Sequence, residues 1–422
     1  MEFKEYEIKD LGNVVGGGTP STKQVEYYNG DIAWITPKDL SDFSGKYISH
    51  GERYITDKGL KKSSARMLPK GTVLMTSRAP IGYLAIAKNE LCTNQGFKSV
   101  ICDEKLIIPE YLYYKLQYKM EYIKGLGTGS TFSEVSGKTV KGISLKIPSI
   151  ENQIKQIHVL KNIDDKISLN NKIIANLEEL SQTLFKHWFV DFEFPDENGN
   201  PYKSSGGEMK KSELGELPKG WNYEKAQNLY KITIGKTPPR KIRELFSFKE
   251  GVDWVSISDM KDEESFITKT KEKLTNEAVK DYRVKVIPEG TVLLSFKLTV
   301  GRVKIASKNL ATNEAIAHFV SNEIGKAFTY FYLQQFNFES LGNTSSIANA
   351  VNSKIIKNMP FLHPNEKVLK NFVEIVNPFI DKIEALQREN IELTILRDTL
   401  LPKLMSGEIE IPDEVEVDEN EL

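Results

Sequence analysis

The sequence has few cysteines and lacks any long apolar run. Cys92 and Cys102 are the only two cysteines in 422 residues, too few for a disulfide framework, and no Cys-x-x-Cys or Cys/His cluster predicts a zinc site. No segment approaches the length of about 18 apolar residues that is typical of a membrane-spanning helix, and the N-terminus lacks the apolar stretch of a signal peptide. We therefore expect a cytoplasmic protein in a reducing environment, without membrane contact.

Complete catalytic motifs are also missing. Gly235-Lys236-Thr237 matches the end of a phosphate-binding loop, but Tyr230 occupies the position of its first glycine. Asn377-Pro378-Phe379 lacks the second proline of the Asn-Pro-Pro-Tyr type of amino-methyltransferase motif. The five histidines are scattered, and no partner residue recurs beside them. These gaps argue against a nucleotide site, a methyltransferase site and a hydrolytic triad.

Three alternatives stay open at this point. Asp196, Glu208 and Lys210 fit the loose Pro-Asp…Glu-x-Lys pattern in which metal-dependent nucleases hold Mg²⁺. The surrounding residues show no strand pattern, although such a site needs adjacent strands. Besides a DNA-binding protein, the sequence therefore leaves three functions open: this nuclease, a methyltransferase with diverged motifs, and an adaptor whose basic halves bind an acidic protein.

Charge is nearly balanced overall but unevenly distributed. The chain has 57 Lys and Arg against 58 Asp and Glu, yet eight of the acidic residues lie between Glu408 and Leu422, which leaves residues 1–407 with a net charge of +7. Residues 1–150 carry +5 and residues 221–360 carry +6. Two basic globular halves favour a polyanionic partner such as nucleic acid.

The chain repeats itself once, at a shift of about 219 residues. The clearest matches pair Leu68–Val73 with Ile287–Val292 and Thr76–Gly82 with Ser295–Gly301. Within each repeat, short β-rich runs are bounded by Gly, Pro and Asn, and helical patterns are few, so we expect an α+β fold twice over.

A helical segment with a heptad pattern follows each repeat. Its apolar seam consists of Ile167, Ile174, Leu177 and Leu184 in the first segment and of Phe379, Ile383, Leu386, Leu393 and Leu400 in the second. We expect two long helices packed as an antiparallel coiled coil, in which Asn170 and Asn390 fix the register. Pro378 predicts a kink or break, with Phe379–Leu401 as the long straight piece.

Candidate DNA-binding residues lie in the repeated segments, where cations can contact phosphates or guanine and polar groups can reach base edges. They are Lys38, Ser77, Arg78, Gln95 and Lys98 in the first repeat, and Lys236, Arg240, Lys297 and Arg302 in the second. Gln95 and Glu314 occupy equivalent places after Thr-Asn, where they either contact bases or belong to a turn. Because Arg78 faces Lys297 in the alignment, and the two do not read guanine alike, the sequence predicts an asymmetric target.

Seven motifs, in this order, resemble the specificity subunit of Type I restriction-modification systems along the whole chain. They are Gly16–Pro20 with Trp34-Ile35, Leu68–Thr72, Asn94–Phe97, Leu184–Phe192, Pro201–Glu208, Leu214–Trp221 and Leu400–Gly407. The first repeat lacks a counterpart of the Pro218–Trp221 lead-in before Tyr6.

The resemblance implies two target recognition domains that each read half of a split sequence in double-stranded DNA, joined by helices that set the gap. It also implies that two modification subunits dock on the helices and methylate adenine N6, and that restriction and translocase subunits join the complex. S-adenosylmethionine, ATP and Mg²⁺ would bind only those partners, so this chain itself would be non-catalytic and without a metal or cofactor. The expected organisation is residues 1–150 and 218–362 as recognition domains, 151–192 and 363–406 as helical regions, 193–217 as a linker and 407–422 as an acidic tail.

Overall fold

The computed structural model describes residues 2–41, 43, 45–129, 133–321, 323–341 and 352–412. The described residues form two compact units, the first drawn from Met1–Ser168 with Leu393–Leu422 and the second from Leu169–Glu392. Most of the predicted acidic tail, residues 413–422, lies outside the described residues. Among the described helices, none combines the length and apolarity that crossing a membrane requires.

The first unit is built on short strands with a few small helices. Its strands are β1 (Lys4–Glu7), β2 (Gly12–Gly16), β3 (Tyr28–Ile35), β4 (Tyr47–Ile48), β5 (Arg53–Ile55), β6 (Val73–Ser77), β7 (Ile81–Ala87), β8 (Cys92–Thr93), β9 (Lys98–Cys102) and β10 (Ser144–Ile147). Its small helices are α1 (Ile8–Leu11), α2 (Asp57–Lys61), α3 (Pro109–Tyr118), α4 (Met120–Gly125) and α5 (Gly137–Lys141). A five-stranded sheet has the order β2-β9-β6-β7-β4, and a three-stranded sheet has the order β5-β3-β8.

The second unit repeats this plan. Its strands are β11 (Met209–Ser212), β12 (Gly215–Pro218), β13 (Asn222–Lys225), β14 (Lys231–Ile234), β15 (Phe246–Ser247), β16 (Val252–Val255), β17 (Phe266–Ile267), β18 (Glu272–Leu274), β19 (Val292–Ser295), β20 (Val303–Ala306), β21 (Ala311–Thr312), β22 (Ile316–Val320) and β23 (Pro360–His363). Its small helices are α7 (Ala226–Leu229), α8 (Asn276–Asp281), α9 (Lys326–Gln335) and α10 (Ser353–Asn358). The five-stranded sheet is β14-β22-β19-β20-β17, which matches the first unit strand for strand.

Equivalent elements begin for the same local reason. The Thr56 hydroxyl accepts a hydrogen bond from the Gly59 amide at the start of α2, at 3.1 Å, and the Thr275 hydroxyl accepts one from the Ala278 amide at the start of α8, at 3.2 Å. Each threonine satisfies a backbone amide that the first helical turn leaves unpaired. The predicted α+β fold, present twice, is confirmed.

Two long helices account for the remaining chain. They are α6 (Ile150–Phe189), of 40 residues, and α11 (Glu366–Ser406), of 41 residues. The break predicted at Pro378 is wrong, because α11 runs through that position. Pro378 and Glu374, whose carbonyl loses its amide partner there, are both on the exposed side of the helix, where water can satisfy the carbonyl.

Helix–helix contacts in the first unit run antiparallel. The Gln156 amide donates to the Leu404 carbonyl at 2.8 Å, and Arg397 pairs with Asp164 at 3.1 Å, so residue numbers rise along α6 as they fall along α11. Asp164 also accepts from the Tyr114 hydroxyl at 2.5 Å and pairs with the Lys46 ammonium at 3.2 Å. Burial lowers the pKa of Lys46 even though Asp164 opposes that shift. This polar cluster attaches the sheet domain to the helices.

The second unit has the same antiparallel arrangement. The Asn170 side chain donates to Asn390 and to Glu389, both at 2.9 Å, so the two asparagines that interrupt the seams bond to each other. The cluster equivalent to that of Asp164 is built differently here. The Ser265 hydroxyl donates to Glu178 and is 2.9 Å from the Tyr330 hydroxyl, and burial raises the pKa of Glu178.

The predicted seam residues differ in how far their side chains are buried. Ile174, Ile383 and Leu386 are buried, whereas the others are partly buried: Ile167, Leu177, Leu184, Phe379, Leu393 and Leu400. The neighbours Ile380 and Leu401 are more buried than Phe379 and Leu400. Along α11, the packed stripe is therefore offset by one residue at those two positions.

The segment between α6 and β13 contains more structure than the sequence suggests. β11 and β12 form an antiparallel hairpin, in which Met209 faces Pro218. Phe194 stacks between Trp221 and Tyr202, with ring centroids 4.8 and 4.6 Å away. The hairpin was missed because its strands are short and carry mainly polar residues, so they show no apolar alternation.

Candidate nucleic-acid interface

A tryptophan contacts the Gly-Thr-Pro loop of the first repeat (Gly18–Pro20) and the equivalent Lys-Thr-Pro loop of the second (Lys236–Pro238). The Trp34 indole donates to the Gly18 carbonyl at 2.9 Å, and the Trp254 indole donates to the Lys236 carbonyl at 3.2 Å. The backbone amide of Gly18 donates to the Thr93 carbonyl, and that of Lys236 donates to the Thr312 carbonyl, each at 2.9 Å. The loop therefore lies against the Thr-Asn turn in both units.

The Thr-Asn turn presents the residue that follows it to solvent. The Asn94 side chain accepts from the Gly96 amide at 2.8 Å, and Asn313 accepts from the Ala315 amide at 3.0 Å. Such asparagine turns are a stable local structure. Gln95 and Glu314 are consequently exposed, so asparagine rather than Gln95 or Glu314 forms the cap.

A hairpin loop approaches this turn in both repeats. The Ser77 amide donates to the Gly96 carbonyl at 2.7 Å, and the Phe296 amide donates to the Ala315 carbonyl at 2.9 Å. Ala79 and Leu298 at the loop tips have φ of 52° and 65°, a left-handed conformation that costs a residue with a side chain roughly 1–2 kcal/mol. Such strain is typical of functional loops, and no sequence pattern had indicated it.

In the first repeat, the structure brings Arg78, Gln95 and Lys98 to one end of the five-stranded sheet. Glu134, which the sequence analysis did not select, lies 3.5 Å from Arg78 and 3.3 Å from Lys98. Ser77 is buried and donates to the Gly96 carbonyl at 3.1 Å, so its hydroxyl supports the strand end. Within the described part of the chain, the Gln95 side chain has no hydrogen-bond partner.

Lys38 is paired with a different carboxylate. It lies on the short 3₁₀ helix Pro37–Leu40, and its ammonium is 2.8 Å from Glu52 on the exposed surface. The hydrogen bond from Lys38 to Glu52, together with the charge of Glu52, raises the pKa of Lys38. A DNA contact by Lys38 requires the release of this exposed pair.

In the second repeat, a differently charged group forms around Glu314. Glu314 accepts a hydrogen bond from Thr237. Burial would raise the pKa of Glu314, but the Thr237 hydrogen bond and the nearby Lys297 and Arg240 lower it. The site therefore presents a carboxylate where the first repeat presents the neutral amide of Gln95.

The other cations of the second repeat differ in whether their charged groups are already bonded within the protein. Arg240 forms two hydrogen bonds with Glu272, at 2.8 and 2.9 Å, and its guanidinium lies 4.6 Å from the Trp254 ring centroid. Lys236 donates to the Tyr282 carbonyl at 2.6 Å, and Arg302 donates to the Ile257 carbonyl at 2.9 Å. Lys297 is exposed beside Leu298. Lys297 is thus available to a ligand without breaking an ion pair among the described residues.

A further basic strip borders the same face and was missed. Lys61, Lys62 and Arg66 are exposed; Lys61 is the last residue of α2, and the other two follow it. Gly18 lies so close to this segment that a Cβ on it would be 2.1 Å from the Ala65 amide nitrogen. Lys280 and Lys285 of the second repeat are aligned with Lys61 and Arg66. Comparing cations at the repeat shift would have identified these positions.

The predicted nuclease residues serve local structure instead. Asp196 accepts hydrogen bonds from the Asn198 and Asn200 amides, at 2.8 and 2.9 Å, and Glu208 pairs with Lys219 at 2.8 Å. Lys210 lies on β11. A search of the described residues finds no group of three or more His, Cys, Asp and Glu that would hold a metal ion.

Comparison with known proteins agrees with this geometry. A family model described as "Type I restriction modification DNA specificity domain" matches residues 1–179 and 218–394. The Type I restriction enzyme MjaIX specificity subunit of Methanocaldococcus jannaschii is 35% identical, over 96% of this chain and 93% of that protein. The HindI specificity subunit of Haemophilus influenzae is 26% identical, over 83% and 89%. The crystal structure of a Type I restriction-modification S subunit from M. genitalium has the same fold, with a TM-score of 0.61 and 16% identity over 98% of this chain and 97% of that chain.

Proposed function

Because the chain belongs to the Type I restriction-modification specificity family, we propose that it directs a modification complex to a split, asymmetric sequence in double-stranded DNA. The observation that carries this proposal is that two equivalent interfaces present different chemistry. Arg78 and Gln95 in the first repeat correspond to Lys297 and Glu314 in the second. A guanidinium fork, an amide, an ammonium and a carboxylate favour different base edges.

Phosphate contacts come from the surrounding cations. Lys98 borders the first loop, and the strip of Lys61, Lys62 and Arg66 lies beyond the Gly-Thr-Pro loop. These groups supply salt-dependent affinity and fix the orientation of the domain, while the loop tips discriminate between sequences. The proposal also assigns the predicted residues Lys38, Lys236, Arg240 and Arg302 to this supporting role. Each is bonded within the protein and would exchange that bond for a phosphate contact.

The long helices provide two equivalent docking surfaces. Leu180 on α6 and Leu396 on α11 are aligned by the repeat, and both are about half exposed, at 51% and 46%. A single exposed leucine is common on protein surfaces, so the proposal rests on its recurrence: an equivalent pair at the repeat shift favours two copies of the same partner. We assign these surfaces to two modification subunits, through which restriction and translocase subunits join.

Chemistry resides in those partners under this proposal. S-adenosylmethionine binds the modification subunits, ATP and Mg²⁺ serve the restriction subunits, and this chain contributes recognition without catalysis. A complex that modifies and surveys cellular DNA acts in the cytoplasm.

The test is co-expression of the full chain with its modification subunit in a host that lacks adenine methylation, followed by single-molecule mapping of N6-methyladenine. We expect a two-part motif with a fixed gap and unlike halves. A palindromic motif would reject the asymmetry, and an uninterrupted motif would reject the split. Methylation without any motif would reject the specificity role for this chain.

The same mapping tests the helices as a spacer. Inserting one heptad into both α6 and α11 lengthens each by roughly 10 Å, so the gap should lengthen by about three base pairs. A single heptad in α6 alone serves as the control, since it mismatches the antiparallel pair. An unchanged gap with full methylation would reject the spacer role.

A further inference from the structure

Leu298 is the most exposed large apolar residue among those described. Its relative exposure is 92%, while Phe296, two residues earlier, is fully buried. A single exposed leucine is common on protein surfaces. Its backbone conformation is not common, and it calls for a separate explanation.

The backbone at Leu298 is strained. Its φ is 65°, and the Thr299 amide donates to the Lys297 carbonyl at 2.7 Å, which places Leu298 at the centre of a three-residue turn. This turn is rare and unfavourable for residues with a side chain, whereas glycine adopts it at little cost. A glycine here would relieve both the strain and the apolar exposure, so the presence of a leucine needs a reason that involves its side chain.

The loop that carries Leu298 connects β19 and β20, two antiparallel neighbours inside the five-stranded sheet. The Ser295 amide donates to the Arg302 carbonyl at 2.9 Å, and the Gly301 amide donates to the Ser295 carbonyl at 3.0 Å. These bonds close the loop beyond the strand ends, with Leu298 at its tip. A loop tip can reach base edges in the major groove of B-DNA, where the thymine C5-methyl group is the apolar feature displayed.

We propose that Leu298 reads a thymine by packing against its methyl group in the half-site that the second repeat binds. This proposal rests on the proposed function and names one base contact within it. Lys297, the exposed cation next to Leu298, reads a neighbouring base edge, as in the proposed function. The first repeat has Ala79 at the equivalent tip, which offers a single methyl group and a shorter reach.

The experiment measures DNA binding by the full chain, co-purified with its modification subunits. Duplexes carry the mapped target, and each thymine of the second half-site is replaced in turn by deoxyuridine, which lacks only the C5-methyl group. Wild type is compared with Leu298→Ala and with Leu298→Gly, which also relieves the strained φ. Phe248→Ala is the matched control, because Phe248 is another exposed apolar residue of the same unit, at 78%.

We expect one thymine whose replacement weakens wild-type binding about fourfold, the factor for losing one buried methyl contact. Both Leu298 variants should weaken binding to the thymine duplex and show no further loss with deoxyuridine at that position. Phe248→Ala should behave as wild type.

Three results would overturn the role of Leu298. The first is equal sensitivity to deoxyuridine in wild type and in both variants. The second is a half-site without thymine. The third is a variant that weakens every duplex equally and bends DNA less, as loss of a wedge between base pairs would. Wild-type protein that binds no duplex would instead overturn the proposed function.

Discussion

His318 is buried in β22 between two hydroxyl groups. Its Nδ1 is 3.0 Å from the Thr233 hydroxyl, and its Nε2 is 2.7 Å from the Thr312 hydroxyl. Burial, with a smaller contribution from Lys285, lowers the pKa of His318 to about 3. The equivalent residue of the first repeat is Ser99, so only the second unit contains this titrating group.

The stability of the second unit should therefore depend on pH through His318. The unfolded histidine binds a proton near pH 6.5, but the folded one does so only near pH 3, so its contribution is complete above pH 6.5 and is lost as pH falls toward 3. At pH 5 the loss is roughly 2 kcal/mol relative to neutral pH. Urea unfolding at pH 7 and pH 5 should show a smaller difference for His318→Ser than for wild type. Equal differences would contradict the role of His318.

Single residues also show where sequence reasoning reaches its limit. The repeat and its turn residues indicated the loop segments on which the structure places Arg78, Gln95 and Lys297, because loops between strands carry Gly, Pro and Asn; their contact with DNA stays a prediction. The partners of these residues were not predictable. Glu134 reaches Arg78 through a bridge between distant segments, and such pairing depends on tertiary packing, which leaves no local pattern.

At the scale of elements, periodicity predicted the long helices and their antiparallel pairing. It could not place the packed stripe to the residue, since 3.6 residues per turn drift relative to a heptad. The prediction also overestimated how strongly Pro378 disrupts the helix. The energetic cost of a proline depends on whether the carbonyl that loses its amide partner faces water. The β11–β12 hairpin escaped prediction because its two strands pair over only four residues each and show no apolar alternation.

Asn170 should contribute to stability through the two hydrogen bonds that its side chain donates. Asn170 is fully buried, and Asn170→Ala removes its donors to Asn390 and Glu389, while Asn390 still donates to Asn171 at 2.7 Å. The free energy of unfolding should therefore fall by about 1–3 kcal/mol. Replacing Asn170 and Asn390 together by leucine should recover most of that loss while relaxing the register. Urea midpoints measure both effects, and exposed Asn176→Ala is the control. A double variant as unstable as the single one would contradict the pairing argument.

At the scale of the whole molecule, the two repeats share a plan but differ where they attach to the helices. Asp164 is held by Lys46 and Tyr114 in the first unit, whereas Glu178 is held by Ser265 in the second. Lys46 and Ser265 occupy equivalent positions. If the second recognition domain took the place of the first, Ser265 would stand at the position of Lys46. Asp164 on α6 would then lose the Lys46 ammonium as its charge partner.

Replacing residues 1–150 by the corresponding domain of a relative that keeps Lys46 and Tyr114 should change one half of the methylated motif and leave the other half and the gap unchanged. The physical reason is that each unit has its own core and its own interface. Mapping N6-methyladenine measures the outcome, with replacement of residues 218–362 as the reciprocal control. A change in both halves, or in neither, would contradict modular recognition.

The first unit is discontinuous along the chain, and this sets an order of events during synthesis. The buried Lys115 ammonium donates to the Met405 carbonyl at 2.6 Å, and Leu401, Leu404 and Met405 complete the same core as α3. The second unit, Leu169–Glu392, is one continuous segment. On the ribosome, all residues of the second unit are therefore available before the first unit is complete. Until the last turns of α11 are synthesised, part of the apolar surface of the first unit stays uncovered. Premature termination near residue 392 would accordingly damage the first recognition domain and spare the second.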